Sequence, residues 1–117
     1  MMQIRKTYSG VNPDLLFDEI RDFVLKQGLA LGERKIETYV LPGESAKFIS
    51  RGTMTFNATG EAAKPGKECV RAHIVGSASG ETKMMLDIDD KLFALDKVAA
   101  LQDDLDFIFG SYEVKPQ

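Results

Sequence analysis

A chain of 117 residues, 44% hydrophobic and 28% charged, fits one soluble domain spanning 1–117 with an apolar core of its own. One cysteine excludes an internal disulfide and suits a reducing compartment. "MMQIRKTYSG" has no apolar stretch after its charges, and no run nears the ~18 apolar residues that span a bilayer, so a cytoplasmic location is expected. Residues 1–58 carry 8 basic and 7 acidic side chains and residues 59–117 carry 7 and 11, which yields the formal net charge of −3. That balance disfavours nucleic acid, an anionic membrane surface and an acidic substrate.

The first strand is predicted over "QIRKTYSG", where Ile4, Lys6 and Tyr8 alternate with Arg5 and Thr7. "VNPDLLFDEIRDFVLKQG" reads as a helix, with Asn12 as its cap and Pro13 in the first position, where no N–H is needed. Asp14, Asp18 and Glu19 favour the positive end of its dipole. Leu16, Ile20, Phe23 and Val24 make one apolar face, and Gly28 stops the helix. "RKIETYVL" alternates Ile36, Thr38 and Val40 against Glu37, Tyr39 and Leu41, and "PGES" at 42–45 supplies turn chemistry. In "AKFISRGTMTFN", Phe48, Ser50, Gly52, Met54 and Phe56 share one face, with Ile49, Arg51, Thr53 and Thr55 on the other. These two runs form a hairpin. "ECVRAHIVGS" and "ETKMMLDI" are further strands, joined around "SASG". The last segment, "DDKLFALDKVAALQDDLDFIFGSYEV", opens with aspartates and becomes helical. Its apolar stripe is predicted as Val98, Leu101, Leu105, Ile108 and Tyr112, with Gly110 marking its end. The order is β-α-β-β-β-β-α, an α+β fold with an antiparallel sheet of about five strands and both helices on one face. The open face is then solvated, paired with a partner, or both.

Cys69 and His73 are the only thiol and imidazole, four residues apart. In a helix they would be neighbours. The local alternation of Val70, Ala72 and Ile74 against Cys69, Arg71 and His73 indicates a strand. There they share a face but lie roughly 13 Å apart, at ~3.3 Å per residue, so a nucleophile–base contact of roughly 3 Å fails. No second histidine is available for a metal, and no metal, cofactor or catalytic residue is expected. "GEAAKPGKE" approaches a phosphate loop, but five residues separate Gly60 and Gly66, and Glu68 stands where a hydroxyl is needed. Residues 58–67 read instead as a flexible connection or a lid. Asp87, Asp89 and Asp90 read as capping the last helix, and a calcium loop's glycine and closing glutamate are missing. "NAT" at 57–59 matches a glycosylation sequon by chance, given the absence of a secretory signal.

Phe48, Met54 and Phe56 on one strand, with Met84, Leu86 and Ile88 on the last, form adaptable apolar walls. They are either plain core or the lining of a cavity between the sheet and the C-terminal helix, with Ser50 and Thr82 as its polar contacts. The element order, with "GVNPDLLFDEIRDFV" entering the first helix after strand one, resembles the START-like, or helix-grip, superfamily. That group includes pollen-allergen-type carriers and polyketide cyclase-like proteins. Its members usually have a second short helix and a longer sheet. The resemblance implies a cavity for a hydrophobic ligand, commonly without catalysis, and carries across no catalytic residue.

Two readings follow. In the first, the protein binds an apolar or amphipathic small molecule through Phe48, Ser50, Met54, Phe56, Thr82, Met84 and Leu86. In the second, it is an interaction module that offers a protein partner, or a second copy of itself, the open sheet face or an edge strand. Exposed Tyr39, Ile49 and Val75 would serve that role. An enzyme using Arg71, His73 and a carboxylate is a third possibility, with little in the sequence to support it.

Overall fold

The computed structural model describes residues 1–41, 43–59, 67–77 and 80–114, without the side chains of 41 and 44–47. Five strands run in the chain order expected: β1 (Met2–Ser9), β2 (Ala30–Leu41), β3 (Glu44–Asn57), β4 (Glu68–Gly76) and β5 (Glu81–Ile88). Helix α1 (Pro13–Lys26) follows β1, and α2 (Leu95–Phe109) follows β5. The sheet is antiparallel throughout, in the order β1-β5-β4-β3-β2. The strands before and after the long excursion through β2, β3 and β4 therefore lie side by side.

Local chemistry sets the boundaries of α1. The Asn12 side chain accepts from the Asp14 N–H at 2.8 Å and the Leu15 N–H at 3.4 Å, relieving two orphan donors of the first turn. Past the cap residue Gln27, Gly28 takes a φ of +95°, which a side chain would strain. Pro13, Leu16, Phe17, Ile20 and Val24 form the buried face, and Phe23 is only partly buried against the core.

β2 begins at Ala30, earlier than its alternation suggests, because it resumes pairing with β3 beyond an irregularity between Leu31 and Arg34. Thr55 fills that place: its hydroxyl accepts the Glu33 N–H at 2.9 Å. A Cβ on Gly32 would sit 2.6 Å from the same oxygen, so glycine is required there. At the hairpin tip, Leu41 opposes Glu44 and Gly43 has a φ of +79°. The predicted turn at 42–45 is thus shorter, with Glu44 already in β3, and its residue 42 lies outside the described residues.

Cross-strand register stacks the inward side chains in rows. One row is Ile4, Leu86, Ala72 and Met54, and the next runs through Met84, Ile74 and Gly52 to Ile36. Both helices cover this face, and their buried residues join the sheet's in one apolar cluster. The α2 stripe is Val98, Leu101, Leu105 and Phe109. Ile108 and Tyr112, expected on it, are exposed, because the fourth contact comes one full turn after Leu105. The aspartates before α2 do not cap it either. Asp89 accepts the Lys91 N–H at 3.0 Å in a preceding turn, and the cap position is Ala94, which has no capping side chain.

Lys6 ties β1 to the end of the chain, with its ammonium 3.3 Å from Asp106 and 3.1 Å from Glu113. Burial alone would lower its pKa, but the two carboxylates outweigh that and raise it. Beside it, Tyr8 is fully buried against Phe109 at a ring separation of 5.8 Å, and its hydroxyl makes no hydrogen bond among the described residues.

Two substitutions separate the observed α2 stripe from the expected one. Phe109→Ala should cost about 3–5 kcal/mol in chemical denaturation, whereas Ile108→Ala should cost less than about 1 kcal/mol. Equal effects would mean that the helix is rotated. Tyr8→Phe should leave the denaturation midpoint unchanged or raise it, because an unpaired buried hydroxyl costs about 1–3 kcal/mol. A clear loss of stability in that variant would reveal a hydrogen bond to the hydroxyl.

Candidate functional site

Cys69 and His73 do not share a face. β4 pairs Val70 with Phe56 and then Glu68 with Asn57, so Cys69 is an extra residue in a bulge. The bulge turns both Cys69 and Val70 into the core. It also leaves Glu68 and Arg71 on the same side, although they are three residues apart, joined by hydrogen bonds of 3.1 and 2.8 Å. The expectation that Cys69 lies with Arg71 and His73 is corrected by this one inserted residue. Burial first, and Asp89 second, push the Cys69 thiol up to about 11. Such a thiol is inert near neutral pH.

His73 faces the helix-free side. Its Nδ1 lies 3.4 Å from the Thr53 hydroxyl, and its Nε2 lies 3.6 Å from Asp87. Both distances exceed the roughly 2.6–3.2 Å of a working nucleophile–base–carboxylate relay. The arrangement orients an imidazole and leaves the Thr53 hydroxyl without a close base. Arg71, the other residue of the enzyme reading, is engaged by Glu68.

Around His73 the helix-free face forms a concave trough of about 740 Å³. Its register is a checkerboard. One row reads Thr7, Lys83, Val75, Arg51 and Glu37 across the five strands, and the next reads Arg5, Met85, His73, Thr53 and Lys35. Lys83 and Arg51 flank Val75, two strand spacings or roughly 10 Å apart at the backbone. Met85 lies between Arg5 and His73. Arg5 donates to the neutral side chain of Gln3, and neither Arg5, Arg51 nor Lys83 forms an ion pair among the described residues. The trough's own carboxylate, Glu113, is bonded to Lys6, and Asp87 beyond its floor accepts from Gln3 at 2.7 Å.

The residues proposed from sequence as a ligand lining lie elsewhere. Ser50, Met54, Phe56, Thr82, Met84 and Leu86 are all buried beneath the helices, and of these only Met84 borders the trough. The two hydroxyls already have partners: Thr82 donates to the Val11 carbonyl at 3.0 Å, and Ser50 lies 3.0 Å from the Thr38 hydroxyl. Phe48 is 51% exposed. The last β3–β4 pair is Ser50 with Gly76, so beyond it β2 and β3 continue as a two-stranded ribbon past the edge of the core. Tyr39 and Val40 are exposed on the same ribbon, and Val75 is half-buried in the trough.

Sequence reading missed Arg5, Thr53 and Lys83 as partners of one site. Their strand alternation places them on the right face, but only the register brings them together. Residues 60–66, which include most of the near-phosphate loop and the suggested lid, lie outside the described residues. Among the described residues, no group of three His, Cys, Asp or Glu could hold a metal ion. Asp87, Asp89 and Asp90 diverge, Asp87 toward Gln3 and His73, Asp89 into its turn, and Asp90 toward the N-terminal ammonium at 3.7 Å.

Because Cys69 is buried and its pKa raised, a thiol reagent at pH 7–8 should react at least about a hundredfold more slowly with the native protein than with denaturant-unfolded chain. The native rate should still be rising with pH at pH 10. A fast reaction in the folded state would place the thiol at the surface. No family model matches this chain, and neither a curated protein nor a solved structure matches it.

Proposed function

We propose that the protein is a binding module whose helix-free sheet face takes an amphipathic small molecule bearing an acidic group. Arg51 and Lys83 hold the anion, Arg5 reinforces them, and Val75 and Met85 carry the apolar part. One observation carries this reading: cations that form no ion pair among the described residues alternate with apolar side chains on a single concave face. The trough's volume of about 740 Å³ is in the range of small-molecule sites, which run to roughly 300–1,000 Å³. The net charge of −3 does not oppose it, because a bound group responds to the local field of the face it meets. The amphipathic ligand class expected from sequence is kept, and its site moves to the opposite side of the sheet. A likeness to the helix-grip superfamily, supported by element order, and a cytoplasmic location, supported by the lone buried thiol, belong to the same proposal.

Dodecanoate and dodecylamine share a tail and differ in the charge of the head. Dodecanoate should bind saturably and dodecylamine much more weakly. The double substitution Arg51→Glu with Lys83→Glu should weaken dodecanoate by at least about tenfold, as should raising salt from low to molar levels. Circular dichroism and a denaturation midpoint would confirm that the variant is folded. Equal binding of the two probes, or an unaffected variant, would sink the proposal. If no small carboxylate saturates the site, the face passes to the protein-interaction reading.

A further inference from the structure

The two margins of the sheet are finished differently. Along β1, the end of the chain adds a short cover: the Val114 N–H donates to the Thr7 carbonyl at 2.7 Å, and Glu113 bridges to Tyr8. β2 is the opposite margin, 12 residues long, and among the described residues it pairs only with β3. A strand edge of that length is a template for another strand. Edges are usually protected by charge, and β2 does carry charges on the helix-free face. They alternate in sign, with Lys35 next to Glu37 along that face and the ammonium and carboxylate 2.9 Å apart. Their side chains are 77% and 43% exposed.

We propose that β2 pairs antiparallel with β2 of a second copy, about a two-fold axis through Ile36. In that register Lys35 of each copy lies opposite Glu37 of the other, so two opposite-charge pairs form by symmetry. Ile36, partly buried at the margin of the core, meets its own mate and loses its remaining contact with water.

The charges select this register. Sliding by one pair in either direction sets Lys35 against Lys35 or Glu37 against Glu37, which is destabilising. A pairing that turns one copy over needs Arg34 opposite Glu37, but Arg34 is held by Asp18 at 2.6 Å and lies over the Phe17 ring. The irregularity at Leu31–Arg34 ends the ladder on one side, so the shared stretch is short and centred on Ile36. Both helix-free faces then lie on the same side of the joined sheets.

The test is sedimentation equilibrium over a concentration series at low and high salt, without ligand, so that its result does not depend on the binding proposal. The wild type should self-associate to a dimer that weakens with salt. Lys35→Glu and Glu37→Lys each place like charges on both sides of the axis, and each should raise the dissociation constant by at least about tenfold. Mixing the two variants in equal amounts should restore a dimer, because each charge again meets its opposite. The double swap Lys35→Glu with Glu37→Lys should dimerise on its own. A wild type that stays monomeric at the highest concentration overturns the inference. So do folded single variants that associate like the wild type, or a mixture that fails to recover.

Discussion

The fold depends on one close approach, the Phe17 ring against the bare backbone of Gly52. A Cβ at Gly52 would come within 2.9 Å of the ring, so the absence of a side chain there lets α1 lie down on β3. Phe17 is fully buried and has little room to move away. The Arg34 guanidinium covers the ring, 5.0 Å from its centroid, while bonding to Asp18 one residue along the helix. A single aromatic residue is thereby fixed by a glycine on one strand and an arginine on the next. With α1 fixed over β3 and β4, α2 lies beside it and reaches β1, where Tyr8 packs against Phe109. The buried apolar residues of both helices, Leu16, Phe17, Ile20 and Val24 on α1 and Val98, Leu101, Leu105 and Phe109 on α2, all pack on this face. Among the described residues no helix covers the opposite face, the face on which the ligand site is proposed.

Much of this architecture was legible in the sequence because it rests on short-range rules. Period-2 alternation located the strands, Asn12 and Gly28 bounded α1, and the element order implied the α+β arrangement. Two of the departures are places where the phase of the pattern is reset. The bulge at Cys69 reverses the face of a residue whose neighbours obey the alternation, and nothing local in "ECVRAH" announces it. The α2 stripe ends at Phe109 because a 3.6-residue period permits either a three- or a four-residue step after Leu105, and tertiary contact with Tyr8 decides. Phe48 obeys the alternation but lies beyond the last β4 partner, so its face has no helix over it.

The candidate site was less legible for a different reason. Alternation says which residues share a face of one strand, but not which residues of other strands lie beside them. Lys83, Val75 and Arg51 are adjacent in space because two hairpins have particular registers, and each is unremarkable in its own segment. The apolar residues that looked most like a lining were the most conspicuous in sequence because they build the core. Net charge is likewise blind to placement. The acidic excess of residues 59–117 comes partly from Asp96, Asp103, Asp104 and Asp106 on α2, on the far side of the sheet from the trough.

The two proposals meet at Glu37. Its carboxylate is held below the usual range by the Tyr39 hydroxyl first, then by Lys35 and, more weakly, by Arg51, so it is charged at neutral pH. Arg51 is directly opposite it in the register and is also the cation assigned to an anionic ligand. In a single copy, Glu37 therefore competes with a ligand for Arg51. In the paired form Glu37 faces Lys35 of the second copy, which draws the carboxylate toward the axis and relieves that competition. An anion should then bind the dimer more tightly than the monomer. Linkage makes the effect reciprocal: the same factor by which pairing strengthens the ligand is the factor by which the ligand strengthens pairing. The coupling is electrostatic and acts across adjacent strands, so it needs no movement of the backbone. It should fade as salt screens the exposed charges, in step with the loss of both binding and association.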